Sequence, residues 1–327
     1  MPLHPNFNEL LQRLRARKAS VATLPLQDAR AYFEFFAPLC DTEPCAIAHM
    51  EDLELPVRGG ATLAARLYCP VRPCWTEPQP VLLYFHSGGF VFGSLQTADA
   101  QCRALAVEAQ CAVLSVAYRL APEFRFPCAI DDAFDSLLWL TRNAHLLGLD
   151  PNRIAVGGES AGATLAAVTA INARNAEIPL AMQLLVYPGL SRRLDLESHT
   201  AYATGYYLTL ETIEQMQSLY LLDERDRDDW RFAPLDAARQ PDGGYAGLVP
   251  AVIVCAQYDP LIDEQFLYAC KLRDAGNLVS ICCYTGMIHG FFSMAGMVPH
   301  AGVARAEAGQ LLTTAFDTML ELAGIGS

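Results

Sequence analysis

The chain contains no C-x-x-C pair, no N-x-[ST] sequon and no apolar run long enough to span a bilayer. Its first twenty residues lack the continuous apolar core of a secretory signal. Positive charge is scarce: Lys and Arg number 23 against 36 Asp and Glu, a formal net charge of -13. Phosphate recognition requires clustered positive surface, so nucleic acid is excluded as a partner, and an anionic membrane surface is disfavoured. Closely spaced Cys/His ligand groups are missing, so no metal is expected. The eleven cysteines are an odd, scattered set. Several, such as Cys255, Cys282 and Cys283, fall in apparent buried strands, where a thiol acts as a small hydrophobe. Reduced thiols in a cytoplasmic protein are the economical reading.

What is present describes an enzyme-like globular chain: 327 residues, 52% hydrophobic and 18% charged. That length suits one large domain, or a domain with an appendage. Near the N-terminus, Leu10, Leu11 and Leu14 recur at helical spacing among Arg13, Arg15, Arg17 and Lys18. An organelle address or a lipid-surface helix shares that pattern, but a helix packing its leucines on the body is the simpler reading.

From about residue 50 onward, strand-like runs alternate with helical patterns. The strands are expected at 64–68, 81–85, 112–118, 154–157, 181–187, 251–257 and 279–284, and several are continuous apolar runs. Such runs suit parallel strands covered on both faces. Helices are expected at 98–108, 131–143, 161–175, 263–275 and 303–322. The alternation predicts an α/β fold with helices on both sides of a mostly parallel sheet. Two regions break the rhythm. Residues 1–45 read as helices without a strand, and so does the long connection at about 190–235, with 210–220 as its clearest helix. Together they are expected to form a helical cap over the C-terminal edge of the sheet in residues 46–327. The charge run 223–229 reads as a solvated loop.

The sharpest motif is Gly158-Glu159-Ser160-Ala161-Gly162, set between an apolar run and a small-residue helix. In that strand–turn–helix context, G-x-S-x-G places a serine hydroxyl at the top of the sheet. A serine needs a base, and the base an orienting carboxylate. His289 stands directly after the last expected strand, at the same sheet edge. His4, His49, His145, His199 and His300 read as structural. Asp259 is the first carboxylate past the 251–257 strand, with Asp263 as the fallback; as a helix N-cap, Asp259 would be followed by Pro260 at the first helical position. Gly88 and Gly89, after the 81–85 strand, can offer backbone amides to an oxyanion, and Ala161 supplies a third.

These pieces, together with His86-Ser87-Gly88-Gly89-Phe90, Tyr118-Arg119-Leu120-Ala121-Pro122-Glu123 and Asp259-Pro260-Leu261-Ile262-Asp263-Glu264, resemble the hormone-sensitive-lipase-like (bacterial family IV) carboxylesterases of the α/β-hydrolase superfamily. The resemblance runs from about Glu51 to the C-terminal helix. It implies an α/β-hydrolase fold with a helical cap, Ser160, Asp259 and His289 as the triad, and the amides of Gly88, Gly89 and Ala161 as the oxyanion hole. Arg119 and Glu123 would brace loops behind the site, and Glu159 would support the nucleophile turn. It also implies short- to medium-chain acyl esters as substrates, with no cofactor, and is compatible with a homodimer. Phe90, Tyr206, Tyr207, Leu208 and Phe291 are candidate pocket walls. Amidase, lactonase or deacetylase chemistry fits the same residues, and a non-catalytic ligand-binding relative is the rival from another class. Two departures stand out. Ser87 replaces a family glycine and is expected to be strained if its φ is positive, and Ala163 stands where a further glycine is common.

Overall fold

The computed structural model describes residues 1–16, 24–239 and 244–322. Eight strands form one sheet: β1 (His49–Pro56), β2 (Thr62–Cys69), β3 (Gln79–Phe85), β4 (Ala112–Val116), β5 (Leu149–Glu159), β6 (Gln183–Val186), β7 (Ala251–Tyr258) and β8 (Val279–Ile288). Their spatial order is β1-β2-β4-β3-β5-β6-β7-β8, with β2 antiparallel to both neighbours and β4 through β8 mutually parallel. The helices are α1 (Pro5–Ala16), α2 (Leu26–Cys40), α3 (Asp99–Ala109), α4 (Cys128–Asn143), α5 (Ala161–Asn175), α6 (Glu197–Ala201), α7 (Leu210–Tyr220), α8 (Ile262–Asp274) and α9 (Pro299–Leu322).

Why the strands are apolar throughout is visible in β3. Val81, Leu83 and Phe85 enter one core with α4, α5 and α8, whereas Leu82 and Tyr84 enter a second with α1, α3 and α9. Period-two alternation thus feeds two buried faces at once, and neither face can be polar.

The boundaries differ from expectation in physically readable ways. β1 escapes the apolar-run criterion because it is an edge strand, HMEDLELP, with only Leu55 buried. β8 continues past Tyr284 to Ile288 through a register irregularity beside β7. Being the opposite edge, β8 leaves Cys283 exposed and Cys282 half-buried, while Cys255 on β7 is buried as expected.

α1 buries Phe7, Leu10 and Leu11, so the leucine stripe packs on the body; Arg17 and Lys18 lie outside the described residues. The same segment closes on the far end of the chain. The His4 amide donates to the Gly286 carbonyl at 3.0 Å, and the Asn6 side chain to the Met297 carbonyl at 2.5 Å. α2 is tied down by Arg30, whose guanidinium donates to the Val91 and Ala121 carbonyls and pairs with Glu123. Arg119, the other polar residue of that motif, pairs with the buried Asp132 of α4. The run 223–229 forms a short 3-10 turn whose charges pair locally, Arg225 with Asp223 and Arg227 with Glu224. Among the described residues, no helix is long and apolar enough to cross a membrane.

Candidate active site

β5 ends at Glu159 and α5 begins at Ala161, so Ser160 alone makes the turn, with φ 56° and ψ -119°. A left-handed φ is costly for any residue with a Cβ and persists only where the surroundings over-determine it. Here the Ser160 amide donates to the Val186 carbonyl at 2.8 Å, and its carbonyl accepts from Ala163 and Thr164. The flanking glycines admit the crossing: a Cβ on Gly158 would stand 2.6 Å from the Phe85 carbonyl oxygen, and one on Gly162 would be 2.5 Å from that of His86. Ala163, the second departure, is fully buried within α5.

Ser160 Oγ lies 2.9 Å from His289 Nε2, and His289 Nδ1 lies 2.8 Å from Asp259 Oδ2. A carboxylate accepts only, so Nδ1 carries the proton and Nε2 is left to accept from the serine hydroxyl. Asp259 is fully buried, and its other oxygen accepts the Leu261 amide at 2.9 Å. It therefore orders the turn before α8 as well, although the N-cap position itself belongs to Leu261. Asp263 is turned elsewhere and accepts the Ser198 amide at 2.8 Å. Of the other histidines, His199 sits in α6 rather than in a loop, buried against Glu264 at 3.2 Å. Burial raises the Glu264 pKa, while His199 and the Leu190 and Ser191 amides oppose that shift.

Beside the serine runs the turn after β3. Gly88, Gly89 and Phe90 have φ of 128°, 60° and 64°. Ser87 is not among the residues of positive φ, so the expected strain at that position is absent. Left-handed backbone is needed one residue later, where glycines remain. Among the described residues, the amides of Gly88, Gly89 and Ala161 have no hydrogen-bond acceptor. His86 anchors the base of the turn. Its Nδ1–H donates to the Ser87 carbonyl at 2.8 Å, and its ring stacks on Tyr118 at 4.3 Å. Burial lowers its pKa to about 4, so the ring is neutral.

Glu159 is buried behind the serine and accepts from the Tyr187 hydroxyl at 2.6 Å and from the Ser293 hydroxyl. Burial raises its pKa, and those two hydroxyls work against the rise. The Tyr187 ring lies 4.5 Å from the His289 ring, so the elbow and the histidine loop share one brace.

A half-open cleft lies at Ser160. Phe90 and Leu208 line it, whereas Tyr206, Tyr207 and Phe291 are not among its walls. Tyr206 stacks on Tyr258 at 5.2 Å, Tyr207 packs against Gly290, and Phe291 is fully buried against Tyr187. Their aromatic surface is absorbed in packing around the histidine loop. The walls that sequence reasoning missed include Leu194, Ile213, Met216 and Phe232. Ile213 and Met216 were signalled only as the apolar stripe of α7, which does not say what the stripe faces.

Residues 82–293 match the family profile described as alpha/beta hydrolase fold. An ethyl acetate hydrolase of Pseudomonas putida is 36% identical, the alignment covering 92% of this chain and 95% of that one. A carboxylesterase of Mycobacterium tuberculosis is 39% identical over 78% of this chain and 79% of its own length. Among solved structures, the hyperthermophilic esterase of the archaeon Pyrobaculum calidifontis superposes with a TM-score of 0.89, at 34% identity, covering 96% of this chain and 99% of that one. With its sheet order and its serine turn, this chain belongs to the α/β-hydrolase family, in the hormone-sensitive-lipase-like branch.

Proposed function

We propose that the chain is a serine carboxylesterase acting on small esters with short- to medium-chain acyl groups. One observation carries this reading: the hydrogen-bonded series Ser160–His289–Asp259 stands beside three amides, at Gly88, Gly89 and Ala161, that donate to nothing else among the described residues. His289 Nε2 takes the Ser160 proton as Oγ attacks the ester carbonyl. The oxygen of the tetrahedral intermediate collects the three amides, each worth about 3–4 kcal/mol at such a site. His289 then protonates the departing alcohol, and water, activated by the same nitrogen, releases the acid. The chemistry requires no cofactor.

The cleft is the acyl side in this scheme. The alcohol must leave next to His289 Nε2, and the cleft walls, drawn from α5, α7, α8 and the loops that carry Phe90, Leu194, Leu208 and Phe232, do not include His289. Leu194, Leu208, Ile213, Met216 and Phe232 give those walls their apolar character. α2, within residues 1–45, and α7, within about 190–235, act as parts of the cap, since Arg30 clasps the Val91 carbonyl and α7 overlies Gly89. Eleven free thiols support a reducing, cytoplasmic setting.

The test is a p-nitrophenyl ester series from acetate to palmitate, with p-nitroacetanilide as the amide control. Ser160→Ala is expected to keep the fold and lose at least about 10³-fold in kcat. Turnover unchanged in that variant would remove the serine from the reaction.

A further inference from the structure

Three consecutive residues after Ser87 hold positive φ, and the third is a phenylalanine. Glycine enters the left-handed region freely, whereas a bulky L residue stays there only when held. Two holds on Phe90 are visible. Its carbonyl accepts the Ala121 amide at 2.8 Å, and its ring lies flat against Tyr220 of α7, centroids 4.1 Å apart and planes 9° from parallel. Tyr220 is itself buried between Phe126 and Phe232, while its hydroxyl has no hydrogen-bond partner among the described residues. The residue is therefore used as a flat ring and not as a polar group. One turn earlier on the same face of α7, Met216 covers Gly89 so closely that a Cβ there would overlap its sulfur. Positions i and i+4 of one helix thus rest on two successive residues of the turn.

We propose that Tyr220 is a positioning residue for the reaction: by stacking on Phe90 it holds the Gly88-Gly89-Phe90 turn in the conformation that presents its amides to the acyl oxygen. This rests on the ester-hydrolase reading above. Tyr220 is not a wall of the cleft, so it has no direct hold on substrate. Its influence falls on the oxyanion, which exists only after attack, and hence on kcat rather than KM. The seating of α7 and the competence of the oxyanion turn become one variable.

The experiment compares wild type, Tyr220→Leu and Tyr220→Phe on p-nitrophenyl butyrate. Rates are scored per intact site from the endpoint of titration with a p-nitrophenyl phosphonate, so unfolded protein does not count as lost turnover. Tyr220→Leu is expected to lose roughly 10- to 100-fold in kcat with KM changed less than about threefold, less than deleting a donor outright. It should also weaken inhibition by a trifluoromethyl ketone, which mimics the oxyanion, in proportion to kcat. Tyr220→Phe, which keeps the ring, should match wild type within about twofold. Unchanged kcat in Tyr220→Leu, a loss carried by KM alone, or an equal loss in Tyr220→Phe each overturns the inference. Absence of ester turnover in wild type would instead overturn the reading on which it rests.

Discussion

Gly162 and Phe85 meet backbone to backbone: a Cβ on the first residue of α5 after Ala161 would overlap the carbonyl oxygen at the end of β3. The serine turn and the oxyanion turn are therefore locked together by the absence of one methyl group. Gly162→Ala is expected to destabilise the fold by about 2 kcal/mol or more and to abolish turnover, because helix and sheet must separate. Gly302→Ala is the control. That glycine lies inside α9 with no heavy atom within 4 Å of its would-be Cβ, so alanine should stabilise by about 0.5–1 kcal/mol. Urea melts of the two variants check both signs.

Asp259 and Asp263 differ in what they face, though only four residues separate them. Asp259→Asn is expected to lower kcat by about 10⁴-fold, since an amide no longer fixes the proton on His289 Nδ1. Asp263→Asn, whose native carboxylate accepts the Ser198 amide, should leave kcat within about threefold of wild type. Steady-state kinetics of both variants decide the assignment. Equal losses would show that β7 does not supply the orienting group from Asp259.

Ser87→Gly tests the position where the family resemblance led to an expectation of glycine. With no positive φ at Ser87, glycine relieves nothing and adds freedom to the unfolded chain. Stability is expected to fall by up to about 1 kcal/mol with kcat unchanged. A gain in stability would mean that the serine is strained after all.

His86 gives a pH dependence with a definite sign. Its pKa is lowered from 6.5 to about 4 in the folded chain. Between those values the unfolded chain binds more protons, so stability falls as pH drops through that window. The loss approaches about 3 kcal/mol at the lower end. Denaturant unfolding at pH 7 and pH 4.5 measures it, and His86→Asn should flatten the difference between the two pH values. A slope unchanged by that substitution would assign the effect to other groups.

The sequence carried most of the site because the site is made of turns, and turns have local grammar. Gly158-x-Ser160-x-Gly162 needs its glycines for contacts with the end of the neighbouring strand β3, so the pattern is visible in five letters. Asp259 and His289 each follow a strand directly, and parallel strands deliver their C-terminal ends to one edge. The cleft was less legible. Tyr206, Tyr207 and Phe291 have the composition of pocket walls, yet they pack around the histidine loop, because an aromatic ring gives no indication of which neighbour covers it. Edge strand β1 was hidden for a related reason: Leu53 and Leu55 alternate with charges on a surface solvated on one side. The left-handed phenylalanine at 90 was invisible, since its conformation is imposed from α7, 130 residues further on.

The bonds from His4 to Gly286 and from Asn6 to Met297 set an order of events in time. The carbonyls that fix α1 lie some 280 residues further along the chain. The seat of α1, which buries Phe7, Leu10 and Leu11, is therefore complete only when segments some 280 residues apart have met. Long-range closure of this kind is slow. The apolar stripe of α1 thus depends on a contact that forms late in folding.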